Sequence, residues 1–135
     1  MLKRLFAIAG LLLAGLTTAA MAQDSVTVQY EYMNNCAACH GEDGSGDGPL
    51  IEFLKDPIPD LTVLALDNEG VFPFHETIMV IDGRKGLRGH GNPMPVWGDT
   101  FERSAMAEAG DPLSYTIARG RLLSLVEYLV TIQQD

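Results

Sequence analysis

Basic residues are scarce in this chain of 135 residues. Nine Lys and Arg stand against 18 Asp and Glu, which gives a formal net charge of −9 at pH 7. Nucleic acids are bound through Lys and Arg contacts to phosphate, so this balance argues against a nucleic-acid partner. It also disfavours an anionic membrane surface. It favours protein partners with basic docking patches, met through electrostatic steering, unless the acidity only keeps the chain in solution.

Cysteine is also scarce, and both copies fall in one motif, Cys36-Ala37-Ala38-Cys39-His40. C-x-x-C-H is the spacing of covalent haem attachment. Thiols three positions apart lie on one side of a helical turn and can reach both vinyl groups of one porphyrin. The next residue, His40, is then available to bind the iron. The sequence therefore predicts one haem c, attached through Cys36 and Cys39.

Other uses of the motif have less support. A thioredoxin-like redox pair needs a surrounding βαβ pattern, which this sequence lacks. A structural zinc site needs four ligands, usually including a second Cys/His pair, and the remaining His75 and His90 stand alone. A calcium site of the EF-hand type needs acidic residues at fixed spacing. The acidic residues of the glycine-rich stretch, Glu42, Asp43 and Asp47, do not have that spacing. Haem attachment remains the best interpretation.

The N-terminus has the pattern of a secretory signal peptide. A short basic start, Met1-Leu2-Lys3-Arg4, precedes an apolar stretch from Leu5 to about Ala20, and Ala20-Met21-Ala22 is a small-x-small cleavage site. The apolar stretch is shorter than the ~20 residues of a membrane span. We expect cleavage after Ala22, which leaves one domain over 23–135. Haem attachment of this kind takes place on the exported side of the bacterial membrane, so signal and motif together predict a periplasmic protein.

Hydrophobic periodicity predicts helices joined by long loops. The strongest prediction is a helix over 119–133, whose apolar residues follow the i, i+3, i+4, i+7 pattern of one buried face: Leu122, Leu125, Val126, Leu129 and Ile132. Glycine and proline content predicts loops elsewhere. The remaining elements are helices over 25–35, 75–82 and 104–108, and loops over 41–49 and 83–99.

A haem iron held by His40 needs an assignment on its other face. Met94 lies in Asn92-Pro93-Met94-Pro95, where two prolines fix φ on both sides. It follows His40 by 54 residues, far enough for the chain to reach the opposite face of the haem. His90, flanked by two glycines, is the main rival, and an open sixth position is a further alternative. Three other methionines fit less well. Met79 is expected in the core, Met33 lies too close to the cysteines, and Met106 is expected on the surface.

Three features together resemble class I cytochromes c: Cys-Ala-Ala-Cys-His-Gly, Met-Pro-Val-Trp-Gly and the amphipathic C-terminal helix. The resemblance extends from Tyr30 to Gln133. It implies an all-α fold in which the N- and C-terminal helices cross beside a haem enclosed by loops. It places Tyr32 and Tyr128 at this crossing, with Leu125 between the helices. Val28 stands where the family often has a small residue.

Residues that support the haem can be proposed as well. In the family, the iron-bound histidine donates a hydrogen bond from its other ring nitrogen to a proline carbonyl in a Gly-Pro-x-Leu-like segment. Gly48-Pro49-Leu50 resembles that segment, so Pro49 is the first choice, with Pro57 or Pro59 as alternatives. The Trp97 N–H is expected to reach a haem propionate, unless the ring only packs in the core. Three basic residues would neutralise a propionate, form a docking patch or balance nearby acids: Arg84, Lys85 and Arg88.

The expected ligand set indicates the function. Iron with His40 and Met94 as ligands has no vacant position for a substrate, so its task is to change oxidation state. No paired carboxylates or nucleophile–base arrangement indicates catalysis. The sequence predicts a periplasmic electron-transfer protein that is not an enzyme by itself. Two alternatives stay open: a cytochrome subunit of a larger periplasmic oxidoreductase, and a gas-binding or sensory haem protein with an open sixth position.

Overall fold

Five α-helices form the framework of the computed structural model, which describes residues 28–84 and 94–134. No strand occurs within these two ranges, so the predicted all-α class is confirmed. No helix in them is long and apolar enough to cross a membrane. The predicted signal peptide, 1–22, lies outside the described residues. The helices are α1 (28–35), α2 (Ala37–His40), α3 (Phe74–Asp82), α4 (Trp97–Ala109) and α5 (Ser114–Thr131), and single turns of 3-10 helix cover Ile51–Phe53, Leu61–Val63 and Leu66–Asn68.

The long helix α5 supplies most of the core. Its buried residues recur every three or four positions, which is the spacing of one helix face: Ser114, Ala118, Leu122, Leu125, Val126 and Leu129. The helix starts five residues before the predicted start at 119. The two small residues Ser114 and Ala118 continue the buried face toward the N-terminus. The prediction used large apolar residues, so it did not include these two.

Helices α1 and α5 are in contact, as the resemblance implied. The rings of Tyr32 and Tyr128 lie 5.1 Å apart between centroids, and Tyr32 and Leu125 are almost completely buried. Val28 lines a gap of about 560 Å³ between the helices, and Gly120 lines the same gap from α5. The small residue at this contact is therefore on the C-terminal helix, while the N-terminal helix has valine.

A single guanidinium joins three helices. Arg121 on α5 donates from Nε to both carboxylate oxygens of Glu31 on α1, at 3.0 and 3.2 Å. Its Nη1 donates to Ser104 Oγ on α4 at 3.0 Å. The guanidinium carbon also lies 4.5 Å from the centroid of the Phe101 ring. Because the side chains of Arg121 and Glu31 are only 28% and 16% exposed, solvent screens this pair less than an open surface pair.

Replacing Arg121 with alanine should lower the free energy of unfolding by about 2 kcal/mol. The substitution removes charge-assisted hydrogen bonds and leaves the partly buried Glu31 carboxylate without this partner. Urea unfolding of the haem-loaded protein measures the loss. Arg119→Ala is the matched control, since Arg119 is exposed on the same helix, and it should change stability by less than about 0.5 kcal/mol. Equal losses in the two variants would contradict a linking role for Arg121.

Helix α4 corrects the predicted loop over 83–99 and the short helix over 104–108. Helical structure begins at Trp97 and continues to Ala109. Gly98 lies in the first turn and is buried, as are Phe101 and Ala105, which continue one face against α5. Glycine is unfavourable inside helices, but here it allows the first turn of α4 to pack closely against Arg84 and Asp82.

The chain end is fixed to the segment before α3. Gln133 accepts a hydrogen bond from the Ala65 N–H at 2.9 Å and donates to the Leu61 carbonyl at 2.7 Å. Gln134 donates from its backbone N–H to the Thr62 carbonyl at 2.8 Å. Asp60 caps the short turn at Leu61–Val63 by accepting from the Thr62 N–H. These contacts hold the 58–65 segment, which forms part of the site, against the end of α5.

Candidate functional site

The two cysteines and His40 lie on one helical turn. The N–H groups of Cys39 and His40 both donate to the Cys36 carbonyl, at 3.1 and 2.9 Å. Helix α2 then ends at Gly41, whose φ of +82° suits glycine. Tyr32 donates from its hydroxyl to the Gly41 carbonyl at 2.9 Å, and this bond is buried. Burial, followed by the nearby Cys36, raises the pKa of Tyr32, so the hydroxyl stays a donor.

The glycine-rich loop satisfies the carbonyls of α2. Each of the four helical residues, 37 to 40, has a carbonyl that accepts one backbone N–H from the residues that follow. The distances lie between 2.8 and 3.2 Å, and the donors in order are Gly41, Leu50, Gly48 and Gly46. Helix ends leave such carbonyls unpaired unless the chain supplies donors. The loop predicted over 41–49 therefore fixes the turn that presents His40.

A mostly apolar cavity lies in front of this turn. It resembles small-molecule and cofactor sites in its mostly apolar lining. Both cysteines and His40 form one part of its wall. Met94, Pro95 and Trp97 contribute another part, and Asn35, Leu54, Ile58 and Ile81 complete it.

Met94 shares two cavities with His40. The second cavity, of about 760 Å³, is lined by Pro59, Leu61 and Leu64 and by residues of α3, and His40, Ile81 and Met94 belong to both walls. His40 is 7% exposed, and Met94 is partly buried against the core. The buried imidazole of His40 and the thioether of Met94 thus line the same cavity, together with the thiols of Cys36 and Cys39.

The family comparison agrees with this arrangement. A sequence model for the family described as Cytochrome c matches residues 28–109, more than half of the chain. The chain belongs to the cytochrome c family. The recognition made from the motifs is therefore confirmed, and the family implies electron transfer by haem. Comparisons with curated proteins and with solved structures gave no significant match.

The carbonyl that faces His40 in this cytochrome favours one of the alternatives considered from the sequence. The Nδ1 atom of His40 lies 3.4 Å from the Pro59 carbonyl oxygen, at the long end of hydrogen-bonding distance. Pro49, the first choice, is exposed and does not line either cavity. The Gly48-Pro49-Leu50 segment instead uses its N–H groups to bind carbonyls of α2. The alternative Pro59 is therefore the residue positioned to orient the imidazole.

The Cys36 thiol lacks the lowered pKa of a reactive dithiol. Both cysteines are free. Burial, with smaller contributions from Glu31 and Cys39, raises the pKa of Cys36 to about 12. Reactive dithiols have a lowered thiol pKa instead, because the thiolate is the nucleophile. A thiol held neutral beside an apolar cavity fits covalent attachment to a haem better than disulfide exchange.

Trp97 lies where the first residue of α4 meets the cavity. Its ring stacks on Phe101 with centroids 5.6 Å apart, and it forms part of the cavity wall. The structure therefore shows the packing role that the sequence allowed. A hydrogen bond from the indole N–H to a haem propionate stays a prediction.

Arg84 balances acids, which is one of the roles considered for the basic cluster. Its Nε donates to Asp82 at 2.7 Å, and its Nη1 donates to Glu102 on α4. The guanidinium carbon lies 5.8 Å from the Tyr115 ring centroid. A guanidinium engaged by two carboxylates is a poor candidate for neutralising a propionate. Three residues named from the sequence, Lys85, Arg88 and His90, lie outside the described residues.

Several wall residues were not identified from the sequence. Leu54, Ile58 and Ile81 carry no motif, and their role comes only from lining the cavity. Ile81 falls in the apolar run of the predicted helix over 75–82, which is confirmed as α3 with one more residue at its start. That run was the one available signal. Leu54 and Ile58 lie outside the predicted helices, where periodicity offers no guide.

Proposed function

We propose that this chain is a periplasmic monohaem cytochrome c that carries electrons through an iron ligated by His40 and Met94. The observation that carries the proposal is the cavity whose wall includes His40, Met94, Cys36 and Cys39. The residues present fit a haem: two thiols at the attachment spacing, two suitable iron ligands and an apolar wall. When bound, haem c supplies an iron that accepts and releases one electron.

The surrounding residues prepare this site in three ways. Cys36 and Cys39 would hold the porphyrin covalently, and Pro59 would accept the Nδ1 proton of His40, which fixes the ring and raises its basicity as a ligand. Leu54, Ile58 and Ile81 exclude water and keep the local dielectric low. Two protein ligands, His40 and Met94, would leave the iron without a vacant position, which supports a carrier over an enzyme that binds substrate at the metal.

The sequence supports a compartment and a class of redox partner. The signal-peptide pattern over 1–22 supports export to the periplasm, since covalent haem attachment of this kind takes place there. The excess of acidic over basic residues supports redox partners with basic docking surfaces, met by electrostatic steering. Such encounters weaken as salt rises, because screening shortens the reach of surface charges.

A second candidate is a cytochrome subunit of a larger periplasmic oxidoreductase. It is favoured by exposed apolar residues around Ile51–Phe53, next to the cavity wall: Leu50, Ile51 and Phe53 are 44%, 42% and 73% exposed. A permanent interface would bury such side chains. Gel filtration of a periplasmic extract would favour this candidate if the haem eluted well above the size of the chain.

Met94→Ala tests the proposed ligand. Wild-type protein should show the spectrum of methionine-ligated haem and should not bind carbon monoxide when reduced. The variant should lose that spectrum and bind carbon monoxide. Its reduction potential should fall by on the order of 0.1 V, a fraction of the ~0.8 V over which axial ligands tune haem. Absorption spectroscopy with redox titration measures all three.

Met106→Ala is the matched control, because Met106 is 48% exposed on α4 and should keep the wild-type spectrum and potential. An unchanged spectrum in Met94→Ala would exclude Met94 as the ligand. Ready binding of carbon monoxide by the wild-type protein would instead favour a gas-binding haem protein.

A further inference from the structure

We infer that Arg84 is a positioning residue for the Met94 ligand. The inference rests on the proposed function, since it concerns how one iron ligand of that site is held. Arg84 follows the end of α3 and binds Asp82 on that helix, while its other arm reaches Glu102 on α4. One guanidinium therefore links the chain before residue 85 to the chain after residue 93. Met94 is the first residue after that interval.

The two sides are packed closely enough for this link to act on Met94. A Cβ atom at Gly98 would lie 2.5 Å from Arg84 Nε and 2.6 Å from Asp82 Oδ1, so the first turn of α4 rests directly on the ion pair. A Cβ atom at Gly83 would lie 3.4 Å from the Val96 Cα. Met94 stands two residues before Val96, and its place relative to His40 depends on this contact between α3 and α4.

Arginine suits this task better than lysine would. Arg84 uses Nε and Nη2 on the two oxygens of Asp82, both at 2.7 Å, while Nη1 binds Glu102. The fork geometry fixes the angle between the two carboxylates, and a lysine ammonium cannot reproduce it. The plane of the guanidinium also approaches the Tyr115 ring on α5. At 23% side-chain exposure, the Arg84 guanidinium is partly shielded from salt.

Imidazole binding to the ferric protein measures how well Met94 is held. Imidazole can occupy the iron only when Met94 has left, so its apparent affinity reports the fraction of open sites. We expect Arg84→Leu to bind imidazole about tenfold more tightly than wild type, equivalent to about 1.4 kcal/mol. The absorption of methionine-ligated haem should decrease in parallel. Arg84→Lys should fall between Arg84→Leu and wild type.

Arg103→Leu is the control, because it removes one positive charge from α4 at an exposed residue that donates a long hydrogen bond to Thr100, at 3.4 Å. It should bind imidazole as wild type does. Glu102→Gln is a milder variant that retains an acceptor for Arg84, and it decides the question if Arg84→Leu does not fold. It should tighten imidazole binding about threefold, or roughly 0.7 kcal/mol.

Equal imidazole affinity in wild type, Arg84→Leu and Arg103→Leu would overturn the inference, even if Arg84→Leu unfolded at lower urea. That result would leave the proposed function intact, because wild type would still show methionine ligation. A wild-type spectrum without methionine ligation would overturn both.

Discussion

Replacing Cys36 and Cys39 together with alanine should abolish haem retention under denaturing conditions. The chain has only these two cysteines, so the double variant has no thiol left to bind a porphyrin covalently. Wild-type protein should keep its haem through denaturing electrophoresis, seen by haem staining and by the mass of the intact chain. The double variant should show neither stain nor added mass.

The same double variant should lose most of its folding cooperativity. The cavity lined by His40 and Met94 has a mostly apolar wall that the haem would cover, and removing one large apolar side chain from a core costs about 3–5 kcal/mol. A missing haem removes more apolar contact than one side chain does. The whole stability of a domain is ~5–15 kcal/mol. Thermal unfolding followed by circular dichroism should therefore show a broad or absent transition without the haem.

Met33→Ala provides a control for loss of a sulfur side chain near the motif. Met33 lies three residues before Cys36 but is 37% exposed and lines neither cavity. This variant should retain haem after denaturation and unfold cooperatively. Haem that remained bound to the double variant through denaturing electrophoresis would refute thioether attachment at these two positions.

Features set by local spacing could be predicted from the sequence. The turn carrying Cys36 to His40 needs only residues within five positions, and the stop of α3 at Gly83 follows from the left-handed conformation there, with φ of +68°. The buried face of α5 repeats every three or four residues. Such signals lie within a single element, so they do not depend on how elements pack.

Features set by long-range packing could not be predicted in the same way. A backbone carbonyl has no sequence signature, so nothing local separated Pro59 from Pro49 as the neighbour of His40. Glycine usually disfavours a helix, and only the approach of Arg84 and Asp82 explains why Gly98 stands in the first turn of α4. The pairing of Arg84 with Glu102 joins residues 18 positions apart. Each of these depends on contacts between elements.

Gly48→Ala should be strongly destabilising, by about 3 kcal/mol. A Cβ atom at Gly48 would lie 2.6 Å from the carbonyl oxygen of Ala38 and 2.6 Å from that of Cys39. These are backbone atoms of α2, which cannot rotate away as a flexible side chain would. The loop must therefore retreat, with loss of the bonds from the N–H groups of Gly48 and Leu50, at 3.2 and 2.9 Å. Overpacking costs ~1–3 kcal/mol and each bond about 1 kcal/mol.

Urea unfolding of the haem-loaded protein measures this loss, and Gly120→Ala is its control. Among the described residues, no atom outside the adjoining backbone of α5 lies within 4 Å of a Cβ atom at Gly120, in the gap between α1 and α5. Alanine there should raise stability by ~0.5–1 kcal/mol, because glycine is unfavourable inside a helix. Opposite signs in the two variants would show that Gly48 is required for close approach to the α2 backbone. A Gly48→Ala variant as stable as wild type would show that the loop can move away from α2 without cost.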